Sequence, residues 1–99
     1  MNVIMDLTVS PIGVGLSVSK YIAACHEIFK EAGLKTNLHA YGTNIEGDWD
    51  TLFAAVKKCH ETLHEMDVPR ITSSIKVGTR TDREQSMLDK IDSVKNKLV

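Results

Sequence analysis

Nine consecutive residues, Tyr41-Gly42-Thr43-Asn44-Ile45-Glu46-Gly47-Asp48-Trp49, place a phenol, a hydroxyl, an amide and a carboxylate beside two glycines. Such a run can hold a small polar ligand, because side-chain donors and acceptors converge where backbone N–H groups are still unpaired. Taken locally, it is a loop that breaks an alternating strand. Gly42 and Gly47 fit positive φ there, and Asp48 is placed to cap a helix. An ordinary hairpin turn followed by an N-cap would have the same composition.

Three other clusters invite chemistry. His60-Glu61-Thr62-Leu63-His64 matches H-E-x-x-H, in which two helix-borne histidines bind zinc and the glutamate activates water. His60, however, shares a helix side with Val56 and Leu63, and Glu84 is the only downstream carboxylate at a plausible spacing for a third ligand. A zinc hydrolase built on His60, Glu61 and His64 is therefore the least favoured alternative, and no metal, cofactor or catalytic residue is expected. Arg80-Thr81-Asp82-Arg83 brings two guanidinium groups together, so Arg80 and Arg83 are candidates for sulfate or phosphate; a solvated helix start is the plainer account. Gly13-Val14-Gly15 follows a strand but has Val18 where a dinucleotide fingerprint needs its third glycine, so it is a turn. No Ser-His-Asp or Cys-His pairing can be argued, since Cys25 and Cys59 both fall on apolar helix faces.

Composition narrows the classes further. A 99-residue chain with 42% apolar and 25% charged residues has room for one modest core, giving a single domain over residues 1–99. With a net charge of -1 and no basic half, nothing steers it to nucleic acid or to an anionic membrane. The absence of a spanning apolar run and of a basic leader sets the expectation of a cytoplasmic protein with reduced thiols.

The elements that must position these residues follow from periodicity. Val3, Met5, Leu7 and Val9 alternate with polar neighbours in a first strand. Ser17 is an N-cap candidate for a helix carrying Tyr21, Cys25, Ile28 and Phe29, and Gly33 closes it. A second strand is expected at about Thr36–Gly42 and a short third one at Asn44–Glu46. Asp48 caps a second helix with Leu52, Phe53, Val56, Cys59 and Leu63 on its face. A fourth strand runs from Arg70 to Gly78. Thr81 and Glu84 form a capping box for a third helix bearing Met87, Leu88, Ile91, Val94 and Leu98.

The order β-α-β-β-α-β plus a helix predicts an α+β, ferredoxin-like fold: a four-stranded antiparallel sheet with two helices on one face and an added C-terminal helix. If Val3, Met5, Leu7 and Val9 feed the core, Asp6, Thr8 and Ser10 face the other way. Asn37, His39, Tyr41, Thr72, Ser74 and Lys76 then share that open side. RNA recognition is disfavoured because those strands offer Tyr41 as their one aromatic.

Pro11-Ile12-Gly13, Gly42-Thr43-Asn44-Ile45-Glu46-Gly47, and Arg70 through Lys76 followed by Arg80-Thr81-Asp82 resemble the small thiamine-binding-protein-like family. The resemblance spans essentially the whole chain. It implies the ferredoxin-like fold, homodimers that pair into homotetramers, and non-catalytic binding of thiamine or its hydroxymethylpyrimidine portion. It directs attention to Tyr41–Glu46 and to the polar face of the first and last strands. The ligand candidates are accordingly Asp6, Thr8, Asn37, His39, Tyr41, Thr43, Asn44, Glu46, Ser74 and Lys76. Asp6 or Glu46 would balance a cationic thiazolium and Tyr41 would stack on a ring. His39 and Lys76 suit phosphates better, which keeps an oligomeric anion- or phosphorylated-metabolite-binding effector protein as the alternative.

Overall fold

The computed structural model describes residues 1–98. Strand β1 (Asn2–Ile12) leads to helix α1 (Ser19–Glu31), strands β2 (Lys35–His39) and β3 (Gly42–Asp48), helix α2 (Trp49–Glu65), strand β4 (Arg70–Gly78) and helix α3 (Met87–Lys95). The strands form one antiparallel sheet in the order β2-β3-β1-β4. This is the ferredoxin-like α+β arrangement expected from the sequence.

Alternation in β1 decides which face is covered. Val3, Met5, Leu7 and Val9 are buried against Tyr21, Cys25, Ile28 and Phe29 of α1 and Leu52, Val56, Cys59 and Leu63 of α2. Among the described residues, fifteen buried apolar side chains form this core. Cys59 directs its thiol toward the Cys25 carbonyl at 4.0 Å, and both cysteines are free and buried. The hydrogen bond to Cys25 and burial together push the Cys59 thiol well above the ordinary cysteine range.

Local signals were met in part. Asp48 caps α2, its carboxylate accepting the Asp50 and Thr51 N–H groups at 3.2 and 3.3 Å. Gly33, at φ +73, takes the left-handed position that ends α1. Ser17 does not cap α1: the N-cap is Val18, without a side-chain cap, because the helix starts a residue later. The expected Thr81–Glu84 box is also displaced. Ser86 and Asp89 form it instead, with Ser86 Oγ accepting the Asp89 N–H at 3.1 Å and Asp89 accepting the Ser86 N–H at 3.0 Å. Thr81–Gln85 remain in the connection between β4 and α3.

The largest correction concerns Tyr41–Trp49, which is not a loop. The turn between β2 and β3 occupies Ala40 and Tyr41, and Gly42–Asp48 continue as a paired strand. Gly42 and Gly47 do not take positive φ; Gly13, Gly15 and Gly33 do. Gly42 is required for a different reason. A Cβ there would stand 2.7 Å from the Leu7 carbonyl oxygen and 2.9 Å from Thr8 Oγ1, so β3 approaches β1 too closely for a side chain.

Candidate functional site

Cross-strand register brings the polar residues of the open sheet face together. Asp6 of β1 lies opposite Asn44 of β3 and Lys76 of β4, and Thr8 lies opposite Ser74. Asn37 of β2 lies opposite Asn44. At the centre, Asp6 Oδ1 accepts from His39 Nε2 at 2.7 Å and from Asn44 Nδ2 at 3.2 Å. The Tyr41 N–H donates to His39 Nδ1 at 3.3 Å, which assigns the ring proton to Nε2 and makes His39 a donor to Asp6. Among the described residues Asp6 Oδ2 takes no hydrogen bond, so half of an oriented carboxylate stays available.

Helix α3 and its leading segment overhang one end of this face. Beneath them is a cavity of about 490 Å³ with Asp6, Asn44 and Lys76 on its floor and Arg80, Gln85 and Lys90 at its walls. A second recess of about 380 Å³ opens at the β2–β3 turn beside α1, where His39, Tyr41, Thr8 and Thr43 meet apolar side chains. The Asp6–His39 pair joins the two, since Asp6 lines the cavity and His39 the groove. A third depression, of about 670 Å³ and mixed charge, is lined by Glu46, Arg80, Arg83 and Asp89.

Not every expected ligand residue stands free on the open face. Thr43 lies on the helix side, opposite Leu7; it is buried, and Thr43 Oγ1 and His26 Nε2 are 2.9 Å apart in a hydrogen bond. The period-two step from Asn44 requires this. Glu46 is on the open face but buried, and its Oε1 accepts the Met87 N–H at 2.6 Å, anchoring the start of α3. Tyr41 sits in the turn, exposed. Asn37 and Ser74 are exposed on the open face and line none of the three recesses.

Arg80 is already engaged. It makes a two-pronged contact to Asp82, Nε to Oδ1 at 2.5 Å and Nη2 to Oδ2 at 2.9 Å, and reaches Gln85 at 2.6 Å. Its guanidinium pushes the Asp82 carboxyl down to about 2, so the pair stays ionised at neutral pH. Arg83 makes no hydrogen bond among the described residues. His60 Nε2 is 2.7 Å from Ser73 Oγ and His64 Nδ1 is 2.8 Å from the Val68 carbonyl, so both rings of the H-E-x-x-H run hold structural partners. No group of three histidine, cysteine or acidic side chains among the described residues is close enough to hold a metal. No helix among them is long and apolar enough to cross a membrane.

Three groups at the site were not anticipated: His26, Lys90 and Gln85. His26 falls between Ile22 and Phe29 on the inner side of α1 and packs edge-on to Phe29 at 5.5 Å. A polar ring inside an apolar stripe was a legible signal. Lys90 and Gln85 had none, because only the position of α3 over the sheet brings them near.

The sheet, its covered face and its half-roofed polar face define a ferredoxin-like α+β protein with recesses of small-molecule size. Residues 5–95 match the family model for thiamine-binding protein, and the chain belongs to that family. A UPF0045 protein of Synechocystis is 64% identical over 95% of this chain and 78% of its own length. One from Eremothecium gossypii is 36% identical over 99% of this chain and 94% of its own. The solved structure of a Methanocaldococcus jannaschii protein superposes with a TM-score of 0.88 at 37% identity, covering 95% of this chain and 96% of that one. A Thermotoga maritima protein provisionally assigned to thiamine biosynthesis or salvage shares the fold, with a TM-score of 0.80 at 17% identity over 95% of this chain and 99% of that one.

Proposed function

We propose that this chain binds thiamine, or a molecule carrying its hydroxymethylpyrimidine, without turning it over. The observation that carries this is the Asp6 carboxylate, oriented by His39 and Asn44 with one oxygen left unpaired between two recesses. A fixed anionic acceptor offsets a permanent cation without the cost of ordering a mobile side chain. Membership of the thiamine-binding family and the name of the Thermotoga maritima neighbour support the same ligand class. A second ligand class, a phosphorylated metabolite or inorganic anion, is favoured by Lys76 and Lys90 lining the cavity that Asp6 enters.

Calorimetry separates the two. Asp6→Asn is expected to weaken thiamine by about 1.5–3 kcal/mol, the range for a hydrogen bond to a charged group. Lys76→Met is expected to leave thiamine unaffected and to weaken thiamine diphosphate. If Lys76→Met weakens every ligand, and Asp6→Asn strengthens them, the site serves anions.

We also propose that copies of the chain assemble through α3, as dimers pairing into tetramers. Leu88, Val94 and Leu98 are all at least 60% exposed, and α3 buries no residue in the monomer. A stripe of this kind gains most by facing its like. Because Leu88 and Val94 touch little within one chain, replacing both by aspartate is expected to yield smaller species by light scattering with unchanged circular dichroism. Unchanged mass would rule α3 out as an assembly element.

A further inference from the structure

Two nucleophilic groups have no part in the binding proposed above: the thiols of Cys25 and Cys59, which meet where α1 packs against α2. They stand 34 residues apart in the chain, yet Cys59 Sγ lies 4.0 Å from the Cys25 carbonyl oxygen. A buried cysteine usually serves as a small hydrophobe. Here two observations point to chemistry instead. The sulfurs interact directly: the Cys59 thiol beside it holds the Cys25 thiol below the ordinary cysteine range, while its own is pushed up. One sulfur is thereby favoured as the nucleophile and the other keeps its proton until a partner sulfur is activated. The two also differ in access. Cys25 lines the recess of about 380 Å³ beside α1, at 2% exposure, whereas Cys59 is wholly buried behind it. A reagent the size of water reaches Cys25 first, and a bulky disulfide reaches neither.

We propose that Cys25 and Cys59 form a redox site, oxidised by hydrogen peroxide to a disulfide that staples α1 to α2. In the first step the Cys25 sulfur attacks one peroxide oxygen and the O–O bond breaks. The sulfur becomes a sulfenic acid, and the departing hydroxide leaves as water with the Cys25 proton. In the second step the Cys59 sulfur attacks the Cys25 sulfur and the S–O bond breaks. The hydroxyl leaves as water with the Cys59 proton, so two thiols have given two electrons to one peroxide. A small dithiol reverses the bridge by exchange. The bridge closes a loop that contains all of β2 and β3, and with them His39, Tyr41, Asn44 and Glu46. Closing a loop of that length removes much of the freedom of the unfolded chain, so the oxidised protein is the more stable form.

The test treats the full-length folded chain with hydrogen peroxide, then denatures it, alkylates it and maps it by mass spectrometry. The expected product is a single chain lighter by two hydrogens, with Cys25 and Cys59 in one bridged peptide and both closed to alkylation. Dithiothreitol is expected to restore both thiols. The bridged form is expected to melt about 10 °C or more above the reduced one. Cys59→Ala is expected to stop at the Cys25 sulfenic acid, which dimedone traps, and Cys25→Ala to leave Cys59 reduced. Should either variant fail to fold, the peptide map of the unchanged chain is sufficient by itself. Cys25 driven to sulfinic acid with Cys59 still free overturns the proposal, by showing that the sulfurs cannot meet. Bridges between chains, or methionine oxidation with both thiols untouched, overturn it too. A bridge that forms without raising the melting temperature stores strain and is no staple, which also overturns it.

Discussion

Gly42→Ala is expected to destabilise the protein by about 2–3 kcal/mol, at the upper end of the cost of forcing extra volume into a packed site. It is also expected to separate His39 from Asp6. The added methyl would meet the Leu7 carbonyl at 2.7 Å, and a backbone oxygen inside a sheet cannot swing aside. It would also press on Thr8 Oγ1 at 2.9 Å and on His39 Cε1 at 3.3 Å. These two side chains tie the β2–β3 turn to β1, one through the Tyr41 carbonyl and the other through Asp6. Relief of the clash must lift the turn, so thiamine affinity should fall with stability. Gly47→Ala is the control. Its methyl meets only Leu34 Cδ2 and Cγ, a flexible side-chain end that can rotate away, so the cost should stay within about 1 kcal/mol. Denaturant unfolding of both variants is the measurement. Equal losses in the two would show that close approach at Gly42 is not what fixes the turn.

Glu46→Ala is expected to free α3 from the sheet while leaving the core intact. Glu46 was expected to meet ligand, yet its carboxylate is buried and accepts the first helical N–H of α3 at 2.6 Å. That geometry places a negative charge at the positive end of a helix. Because α3 buries no residue of its own, this bond carries a large share of its attachment. A hydrogen bond to a charged acceptor contributes about 2 kcal/mol, so exchange of α3 amides should quicken roughly thirtyfold. Amides in β1 and α2 should be unaffected. With α3 displaced, the cavity over Asp6 loses Lys90 and Gln85 from its walls, and thiamine diphosphate should lose more affinity than thiamine. Glu46→Gln keeps an acceptor and should show about half the effect. Unaltered α3 exchange in the alanine variant would mean that packing, not this carboxylate, holds the helix.

How far the site was readable depends on the range of the interaction concerned. The Asp6, Thr8, Ser74 and Lys76 face followed from alternation alone, because period two leaves a strand residue no third choice of side. Thr43 was misplaced because the turn was put two residues too late. A slip between loop and strand leaves composition unchanged but moves a side chain from the open face to the core. The α3 capping box was misplaced for a related reason: Thr81/Glu84 and Ser86/Asp89 both offer a hydroxyl with an acid three residues on. Only the reach of the connection from β4 to a Glu46-anchored helix start selects the second.

The chain by itself determined the order of its elements, the inner faces of β1, α1 and α2, and the ferredoxin-like sheet they form. Those follow from hydrophobic spacing, in which each residue needs only its near neighbours. The tertiary structure decided the rest. It turned Glu46 from a ligand candidate into a helix anchor, engaged Arg80 with Asp82, and gave His60 and His64 to Ser73 and Val68. It also ended the pairing of β1 with β3 at Leu7, while β4 follows β1 on to Ile12. Each of these depends on a partner far along the chain or on where a strand stops pairing, and no local pattern encodes either.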